Sequence, residues 1–327
     1  MPLIQSTDYR PPGLLRWGHA NTMYPTLFRK VHGLSHTRER IDTPDGDFID
    51  VDWSRPGADR AQRVAVLIHG LEGDSRRSYM LGMTRALNRR GWDVCAMNMR
   101  GCSGEPNRRL YAYHSGKTDD LDAVVRRLVD VHGYAAIALV GFSLGGNQVL
   151  KYLGESGADL DPRVRAGFAA SVLVDLGSGS RNLARASNSL YMAYFMRMLR
   201  RKVREKKLCY PDEIDERGLA WVRTFAQFDG RYTAPWHGFE SAEDYWERAS
   251  CKHWLRDIRV PTYLLNAADD PFMTPESYPL AAADDNPEFS LEIPHWGGHV
   301  GFVDLNDAGE YYSEQRAGAF LESAVPA

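Results

Sequence analysis

The sequence predicts an α/β fold in which a mostly parallel central sheet is flanked by helices on both faces. Three short apolar runs lead to this prediction: VAVLIHG (64–70), DVCAMNMRG (93–101) and AAIALVGFS (135–143). Each run is too short for a buried helix and is closed by small residues typical of turns, so each predicts a buried strand. Helical stretches separate the runs, and this alternation is typical of a parallel sheet with both faces covered.

The order of the other elements agrees with this class. The first 37 residues contain prolines, glycines and scattered aromatics without a clear period, so we expect an irregular arm that packs on the body. Residues 38–53 form two extended stretches around a PDGD turn, which predicts a hairpin at a sheet edge. A helical stretch runs to Arg90. Residues 118–133 are also helical, with apolar residues at 121, 124, 125, 128 and 129.

The alternation stops after the apolar run 167–176, which we interpret as a strand. About eighty residues of helical, basic and aromatic sequence follow, up to roughly Leu255. Strands return at 260–267 and 289–295, and helical sequence closes the chain around 308–323. We therefore predict four segments: an N-terminal arm (1–37), the first part of the α/β core (38–177), an inserted helical cap (178–255) and the second part of the core (256–327).

Composition and charge exclude several classes of protein. The 327 residues are 43% hydrophobic and 25% charged, an ordinary globular composition. A formal net charge of −3 gives no global attraction to nucleic acid, so we expect no such partner. The four cysteines form no CxxC pair, which argues against a zinc site or a disulfide framework. Neither a signal sequence nor a membrane-spanning run is evident, so we expect a soluble, cytoplasmic protein.

The strongest functional signal is GFSLGG (141–146), which contains GxSxG around Ser143. A predicted strand precedes the pattern and a helical stretch follows it. In that context GxSxG predicts a nucleophile elbow, a turn so sharp that small residues must flank the serine, whose hydroxyl projects at the C-terminal edge of the sheet. The alternative is an ordinary glycine-rich turn. We favour a nucleophilic Ser143, which points to acyl chemistry.

A serine hydroxyl needs a base to remove its proton, and histidine has a suitable pKa near neutrality. His299 lies in a GGHVGF stretch, where the glycines let a loop carry the imidazole toward a partner. The base in turn needs a carboxylate, which Asp270 or its neighbour Asp269 can supply at the end of a predicted strand. We choose Asp270 and assign Asp269 to the turn. The order Ser143, Asp270, His299 is that of α/β hydrolases.

The tetrahedral intermediate of acyl transfer needs two N–H donors directed at its oxyanion. Leu144, directly after the nucleophile, supplies one. We expect the other from the backbone of Leu71, or of a neighbour, in HGLEG (69–73) on the loop after the first buried strand. His69 in the same loop is interpreted as a hydrogen-bonding residue that shapes the loop.

Metal and nucleotide chemistry are less well supported. His295 and His299 are spaced like zinc ligands on a helix, but the glycines between them disfavour a helix and the glutamate of HExxH is absent. We therefore expect no metal, and interpret His295 as a turn residue. GSGSRN (177–182) lacks the last glycine of a dinucleotide-binding fingerprint, so we expect no nucleotide cofactor.

Residues 189–208 of the predicted cap begin apolar and continue with seven basic residues and one glutamate. The interpretation we favour is a cap helix that packs its apolar face on the core and exposes its basic end to water. The second interpretation is a surface for a lipid-like substrate or an anionic membrane, because apolar and basic faces together suit an interface.

Several motifs occur in an order that is specific when taken together: YPTLFR (24–29), PDGDF (44–48), HGLEG (69–73), RGCSGEPN (100–107), YHSG (113–116), GFSLGGN (141–147), DDPFM (269–273) and GGHVGF (297–302). With them the chain resembles the YheT-like α/β hydrolases, which are related to the eukaryotic abhydrolase-domain esterases and lipases. The resemblance covers most of the chain. It implies an α/β-hydrolase core, a Ser143, Asp270, His299 triad, and ester hydrolysis without a metal or an organic cofactor.

The resemblance does not fix the substrate, because members of this broad family look like carboxylesterases, lipases or alcohol acyltransferases. We expect a serine carboxylesterase that acts on a small-molecule ester of short to medium acyl chain. A lipase or phospholipase-like hydrolase, or an alcohol acyltransferase, would use the same triad. A non-catalytic binding module on the same fold would lack a member of it, and all three side chains are present.

Overall fold

The centre of the molecule is a nine-stranded sheet. The computed structural model describes residues 3–4, 8–57 and 59–326; the rest, which includes part of the predicted arm and the last residue of the predicted core, lies outside the described residues. The strands are β1 (Leu3–Ile4), β2 (Thr37–Asp42), β3 (Phe48–Ser54), β4 (Arg63–Ile68), β5 (Asp93–Asn98), β6 (Ala136–Phe142), β7 (Val164–Ala170), β8 (Thr262–Leu265) and β9 (Phe289–Glu292).

The strand order is β1-β9-β8-β7-β6-β4-β5-β3-β2. Every neighbouring pair is parallel except the two pairs that involve β3, which runs antiparallel to β5 and to β2. The predicted hairpin over residues 38–53 is the β2–β3 pair at one edge. The prediction of a mostly parallel α/β sheet is therefore confirmed.

Helices cover both faces of the sheet. Along β4, Val64, Val66 and Ile68 belong to one apolar cluster, and Ala65 and Leu67 belong to a second cluster on the other face. All five side chains are fully buried, as expected for a strand covered on both sides. The helices are α1 (Gly18–Phe28), α2 (Ser78–Asn88), α3 (Asp119–Asp130), α4 (Leu144–Ser156), α5 (Leu176–Leu183), α6 (Ser189–Cys209), α7 (Phe225–Phe228), α8 (Ala234–His237), α9 (Ala242–Ala249), α10 (Leu280–Asp285) and α11 (Tyr312–Ala324).

One predicted strand is displaced. The apolar run 167–176 suggested a strand, but β7 begins at Val164 and ends at Ala170. The chain turns at Ser171, which has a positive φ of 57°. Val172 and Val174 follow the end of the strand and are still buried in the core. The sequence therefore stays apolar beyond β7 because these residues are buried, although they are not part of a strand.

The N-terminal arm is not irregular throughout, and that expectation was wrong for residues 18–28. They form helix α1, which a 3₁₀ turn (Gly13–Arg16) precedes. The buried face of α1 consists of Gly18, Asn21 and Pro25, none of them a large apolar residue. This helix therefore carries no apolar period that sequence analysis could detect.

Helix α1 packs so closely on the core that a side chain at position 18 has no space. A Cβ on Gly18 would lie 2.0 Å from the backbone oxygen of Asp269. We expect Gly18→Ala to lower the free energy of unfolding by about 1–3 kcal/mol, because the helix must move away from that loop. Urea titration measures this difference. Gly57→Ala is the matched control, since a Cβ there meets nothing within 4 Å; equal stability of both variants would contradict the expectation.

Between β7 and β8, the segment predicted as a cap carries helices α5 to α9. Helix α6 buries Met192, Met196, Leu199 and Val203 in an apolar cluster of the cap's own, as the packing interpretation expects. The basic end of this helix was expected to lie in water, but Lys202 and Lys206 do not. Lys206 is 2% exposed and donates to the backbone oxygen of Asn107 at 2.8 Å. Within the described ranges no helix is long and apolar enough to cross a membrane.

Candidate active site

Ser143 lies at the turn between β6 and α4. Its backbone is strained, with φ 53° and ψ −117°, and its N–H donates to the oxygen of Ala170 at 2.8 Å. The flanking glycines are required by close backbone contacts: a Cβ on Gly141 would lie 2.4 Å from the oxygen of Gly145, and one on Gly145 would lie 2.4 Å from that of Ile68. The GxSxG pattern therefore reflects a turn in which two strands and a helix meet.

His299 connects Ser143 to a carboxylate. Its Nε2 lies 2.9 Å from Ser143 Oγ, and its Nδ1 lies 2.8 Å from Asp270 Oδ2. With the proton on Nδ1, the imidazole donates to Asp270 and accepts from the serine hydroxyl. The His299 side chain is 10% exposed and that of Asp270 is fully buried, so little water competes for either hydrogen bond.

The two neighbouring aspartates make different contacts. Asp270 Oδ1 accepts the N–H of Phe272 at 2.8 Å, which leaves Oδ2 directed at the imidazole. Asp269 Oδ1 accepts the N–H of Gly298 at 2.8 Å, and burial raises the pKa of Asp269 above its usual value. Asp269 thus holds the loop that carries His299, while Asp270 holds the ring.

Sequence analysis missed two residues that fix the His299 loop. Thr22 of helix α1 accepts the backbone N–H of His299 at 2.9 Å, and Ser171 accepts that of Val300 at 2.8 Å. Thr22 is far from His299 in sequence and lies in the segment expected to be irregular, so no local pattern could reveal it. The YPTLFR motif, which is part of the same helix, was the available hint.

Leu71 and Leu144 both line the same cavity as Ser143. Helix α4 begins at Leu144, so the N–H of Leu144 belongs to the first turn, where no intrahelical acceptor exists. In the described part of the chain no acceptor is recorded for the N–H of Leu71 either. Two free N–H donors therefore lie on the elbow and on the neighbouring loop, beside the serine.

His69 shapes that loop, as predicted. It is fully buried; its Nδ1–H donates to the oxygen of Gly70 at 2.7 Å, and its Nε2 accepts the N–H of Met99 at 3.1 Å. Burial lowers the pKa of His69 to about 4, so the ring is neutral near pH 7 and both hydrogen bonds persist.

Beyond Leu71, a cluster that sequence analysis did not identify ties the loop to the cap. Lys202 of helix α6 lies 2.9 Å from Glu72 Oε1 and 3.1 Å from Cys102 Sγ. The hydroxyl of Tyr113 donates to Glu72 Oε1 at 2.7 Å and accepts the N–H of Glu72 at the same distance. Glu72 has a positive φ of 53°, which these contacts hold in place next to Leu71.

We expect Lys202→Met to lower the free energy of unfolding by about 3 kcal/mol, because it leaves the buried carboxylate of Glu72 without its cation. The two side chains are only 12% and 9% exposed. Denaturant titration of Lys202→Met beside the double variant Lys202→Met/Glu72→Gln measures the effect. The double variant should recover part of the loss, since no uncompensated charge remains; a double variant less stable than the single one would refute this explanation.

A cavity of about 130 Å³ lies between the sheet edge and the cap, with Ser143 on its wall. Its lining is mainly apolar and aromatic, which favours an apolar ligand group. The large apolar side chains that the cap contributes are Leu183, Phe195, Leu199, Phe225, Phe228, Trp236 and Trp246.

Polar groups also line the cavity. His114 and His237 meet there with ring centroids 4.6 Å apart. Burial lowers the pKa of His237 to about 4 and that of His114 well below its usual value, so both rings are neutral near pH 7. Burial also raises the pKa of Asp229, on the same wall, to about 6. Neither imidazole therefore adds a positive charge to the cavity wall near pH 7.

In the ranges that the structure describes, no group of three or more His, Cys, Asp or Glu side chains is placed to bind a metal ion.

Comparison with known proteins shows the fold family of this chain. The sequence pattern of the α/β hydrolase fold matches residues 64–304. The chain belongs to the α/β hydrolase fold family. The match begins in β4, the strand that precedes the Leu71 loop, and it extends past His299, so it includes Ser143, Asp270 and His299 of this α/β hydrolase.

Relatives place this α/β hydrolase more closely. It is 36% identical to YheT of Escherichia coli strain K12 over 94% of this chain and 88% of the relative, which confirms the resemblance to the YheT-like group. It is 29% identical to phospholipase ABHD3 of Mus musculus over 93% of this chain and 75% of that protein. The solved esterase Pf2001 of Pyrococcus furiosus superposes with a TM-score of 0.60 at 18% identity, covering 90% of this chain and 98% of that one; this likeness shows the fold.

Proposed function

We propose that this α/β hydrolase is a serine carboxylesterase that acts through an acyl-enzyme on Ser143. The observation that carries the proposal is the continuous set of hydrogen bonds from Ser143 Oγ through His299 to Asp270, located at the wall of an apolar cavity. Serine, histidine and aspartate in this geometry activate a hydroxyl for attack on a carbonyl carbon.

In the first step Ser143 Oγ attacks the ester carbonyl carbon while His299 Nε2 takes the hydroxyl proton. Asp270 holds the ring orientation and stabilises the imidazolium that forms. The N–H groups of Leu71 and Leu144 donate to the developing oxyanion, which lowers the barrier because these backbone donors are held in place before the charge appears. His299 then protonates the leaving alcohol, and Ser143 retains the acyl group.

In the second step His299 Nε2 removes a proton from a water molecule as that water attacks the acyl carbonyl carbon. The bond to Ser143 Oγ then breaks, His299 returns the proton to Ser143 Oγ, and the acid leaves. The apolar lining of the cavity supports an apolar acyl group. The esterase name of Pf2001 and the phospholipase name of ABHD3 agree with ester cleavage as the reaction class.

Hydrolysis of p-nitrophenyl esters from acetate to palmitate tests the proposal, with the Ser143→Ala protein subtracted at each chain length. We expect turnover that depends on Ser143 and peaks at short to medium chains. A peak at palmitate would instead favour a lipase-like enzyme. No Ser143-dependent turnover with any ester would refute the proposal.

A second experiment separates hydrolysis from acyl transfer, since both reactions begin with the same acyl-enzyme. Short-chain alcohols are added to the butyrate ester and the products are separated by chromatography. We expect the free acid to dominate. A new ester as the main product would assign the chain as an alcohol acyltransferase with the same triad.

A further inference from the structure

Helices α1 and α6 meet directly above the candidate site. His19 of α1 lies 3.0 Å from the hydroxyl of Tyr191 on α6, and their rings are stacked with centroids 5.7 Å apart. Tyr191 packs on Phe272 at 4.8 Å, and Phe272 packs on His299 at 4.1 Å. Two ring contacts, Tyr191 with Phe272 and Phe272 with His299, thus connect helix α6 to the imidazole.

Large apolar side chains are exposed on both helices and on the 3₁₀ turn that leads into α1. Exposure ranges from 38% to 88% for Leu14, Trp17, Met23, Leu27, Leu190 and Tyr194. Single exposed apolar residues are common on proteins, but six on α6 and on the α1 segment that contacts it indicate an interaction site. We call these six residues and the arginines described next the α1–α6 surface.

The same face of α6 continues as a basic strip. Arg197, Arg201 and Arg204 follow Leu190 and Tyr194 at helical spacing, and all three are exposed. Arg201 forms an ion pair with Glu205 at 2.7 Å. The three arginines and this one glutamate leave the strip with a net positive charge. The chain as a whole carries a formal charge of −3, so this positive strip is a local feature rather than a consequence of composition.

We propose that the α1–α6 surface docks the enzyme on an anionic lipid bilayer. Tryptophan, leucine and methionine side chains insert at the boundary between headgroups and acyl chains, while neighbouring arginines pair with anionic headgroups. Docking in this orientation places the cap and the His299 loop against the lipid. The apolar cavity beside Ser143 then lies close to a source of ester substrates of low water solubility. The docking itself does not depend on ester hydrolysis.

Vesicle flotation tests the proposal, and the Ser143→Ala protein is used so that binding is measured without turnover. The vesicles contain phosphatidylcholine alone or with one third phosphatidylglycerol. We expect binding to the phosphatidylglycerol vesicles, and weaker binding at high salt because the headgroup attraction is screened. Absence of binding to these vesicles would refute the docking proposal and leave the esterase proposal untouched.

Two double variants locate the surface. Leu27→Ser/Leu190→Ser should weaken binding at least about tenfold through lost apolar insertion. Arg197→Glu/Arg204→Glu should weaken it at least about thirtyfold on anionic vesicles, at roughly 1 kcal/mol for each arginine removed. The matched control Val131→Ser/Arg165→Glu changes exposed residues near the amino ends of β6 and β7, away from the site, and should bind normally.

Made in the enzyme with Ser143 intact, all these variants should hydrolyse p-nitrophenyl acetate at the native rate, which shows that fold and triad are preserved. Equal binding by the surface variants and the control would overturn the proposal. So would sedimentation that shows a dimer which Leu27→Ser/Leu190→Ser dissociates while no variant binds vesicles, because the surface would then contact a second copy of the chain.

Discussion

Replacing Ser143 by alanine is expected to lower kcat for p-nitrophenyl butyrate by about 10⁶-fold, the order of magnitude found when a triad nucleophile is removed. The reason is specific to the geometry: only Ser143 Oγ lies within hydrogen-bond distance of His299 Nε2, at 2.9 Å, among the residues that the structure describes. Steady-state hydrolysis measures the loss, and thermal unfolding checks that the variant is folded.

Ser180→Ala is the matched control, because Ser180 lines the same cavity but makes no contact with His299. It should retain near-native kcat. A covalent phosphonate inhibitor followed by intact-mass analysis should add one adduct to the native protein and to Ser180→Ala, and none to Ser143→Ala. An adduct on the Ser143→Ala protein would place the nucleophile elsewhere.

Asp270→Asn is expected to lower kcat by about 10⁴-fold. An asparagine amide donates to His299 Nδ1, which forces the ring proton onto Nε2, and the ring can then no longer accept the proton of Ser143. Asp269→Asn is a nearly isosteric control on the adjacent residue. Its amide oxygen can still accept the N–H of Gly298, so we expect kcat to fall by no more than about tenfold. A small displacement of the loop costs far less activity than the wrong tautomer of His299.

The measurement is the ratio of kcat for Asp269→Asn to kcat for Asp270→Asn. If Asp269→Asn were the more damaging substitution, the acid would be misassigned and the 2.8 Å contact between His299 and Asp270 would not be the catalytic one. Similar losses in both variants would indicate that the loop, rather than the tautomer, had been disturbed.

Those residues of the site that sit at strand ends could be predicted from the sequence. The sharp turn at Ser143 requires glycines at 141 and 145, and this requirement is visible as a motif. The buried strands were equally visible, because a strand covered on both faces must be apolar throughout. The chain order of the three polar residues then completed the hypothesis without any knowledge of distance.

Contacts between distant segments could not be predicted in this way. Helix α1 buries glycine, asparagine and proline, and it holds the His299 loop through Thr22 and Asn21, whose side chains accept the N–H groups of His299 and Val303. Lys202 is likewise buried against Glu72 and Cys102. These two residues belong to the core and are about 100 or more positions from Lys202 in the sequence. A basic run in a sequence shows charge, but it does not show which cation faces a buried carboxylate.

Strained backbone at the candidate site is expected to lower the thermal stability of this α/β hydrolase. The non-glycine residues with positive φ in the described chain are Glu72, Ser143, Ser171, Val300 and Phe302, and all of them border the candidate site. Each such conformation costs on the order of 1–3 kcal/mol. A laboratory selection for melting temperature alone should therefore enrich Ser143→Gly, because glycine relieves the strain at this turn, and the resulting protein should be both more stable and inactive. Selections that aim for a robust catalyst should score activity in every round and take their stabilising substitutions from the far edge of the sheet.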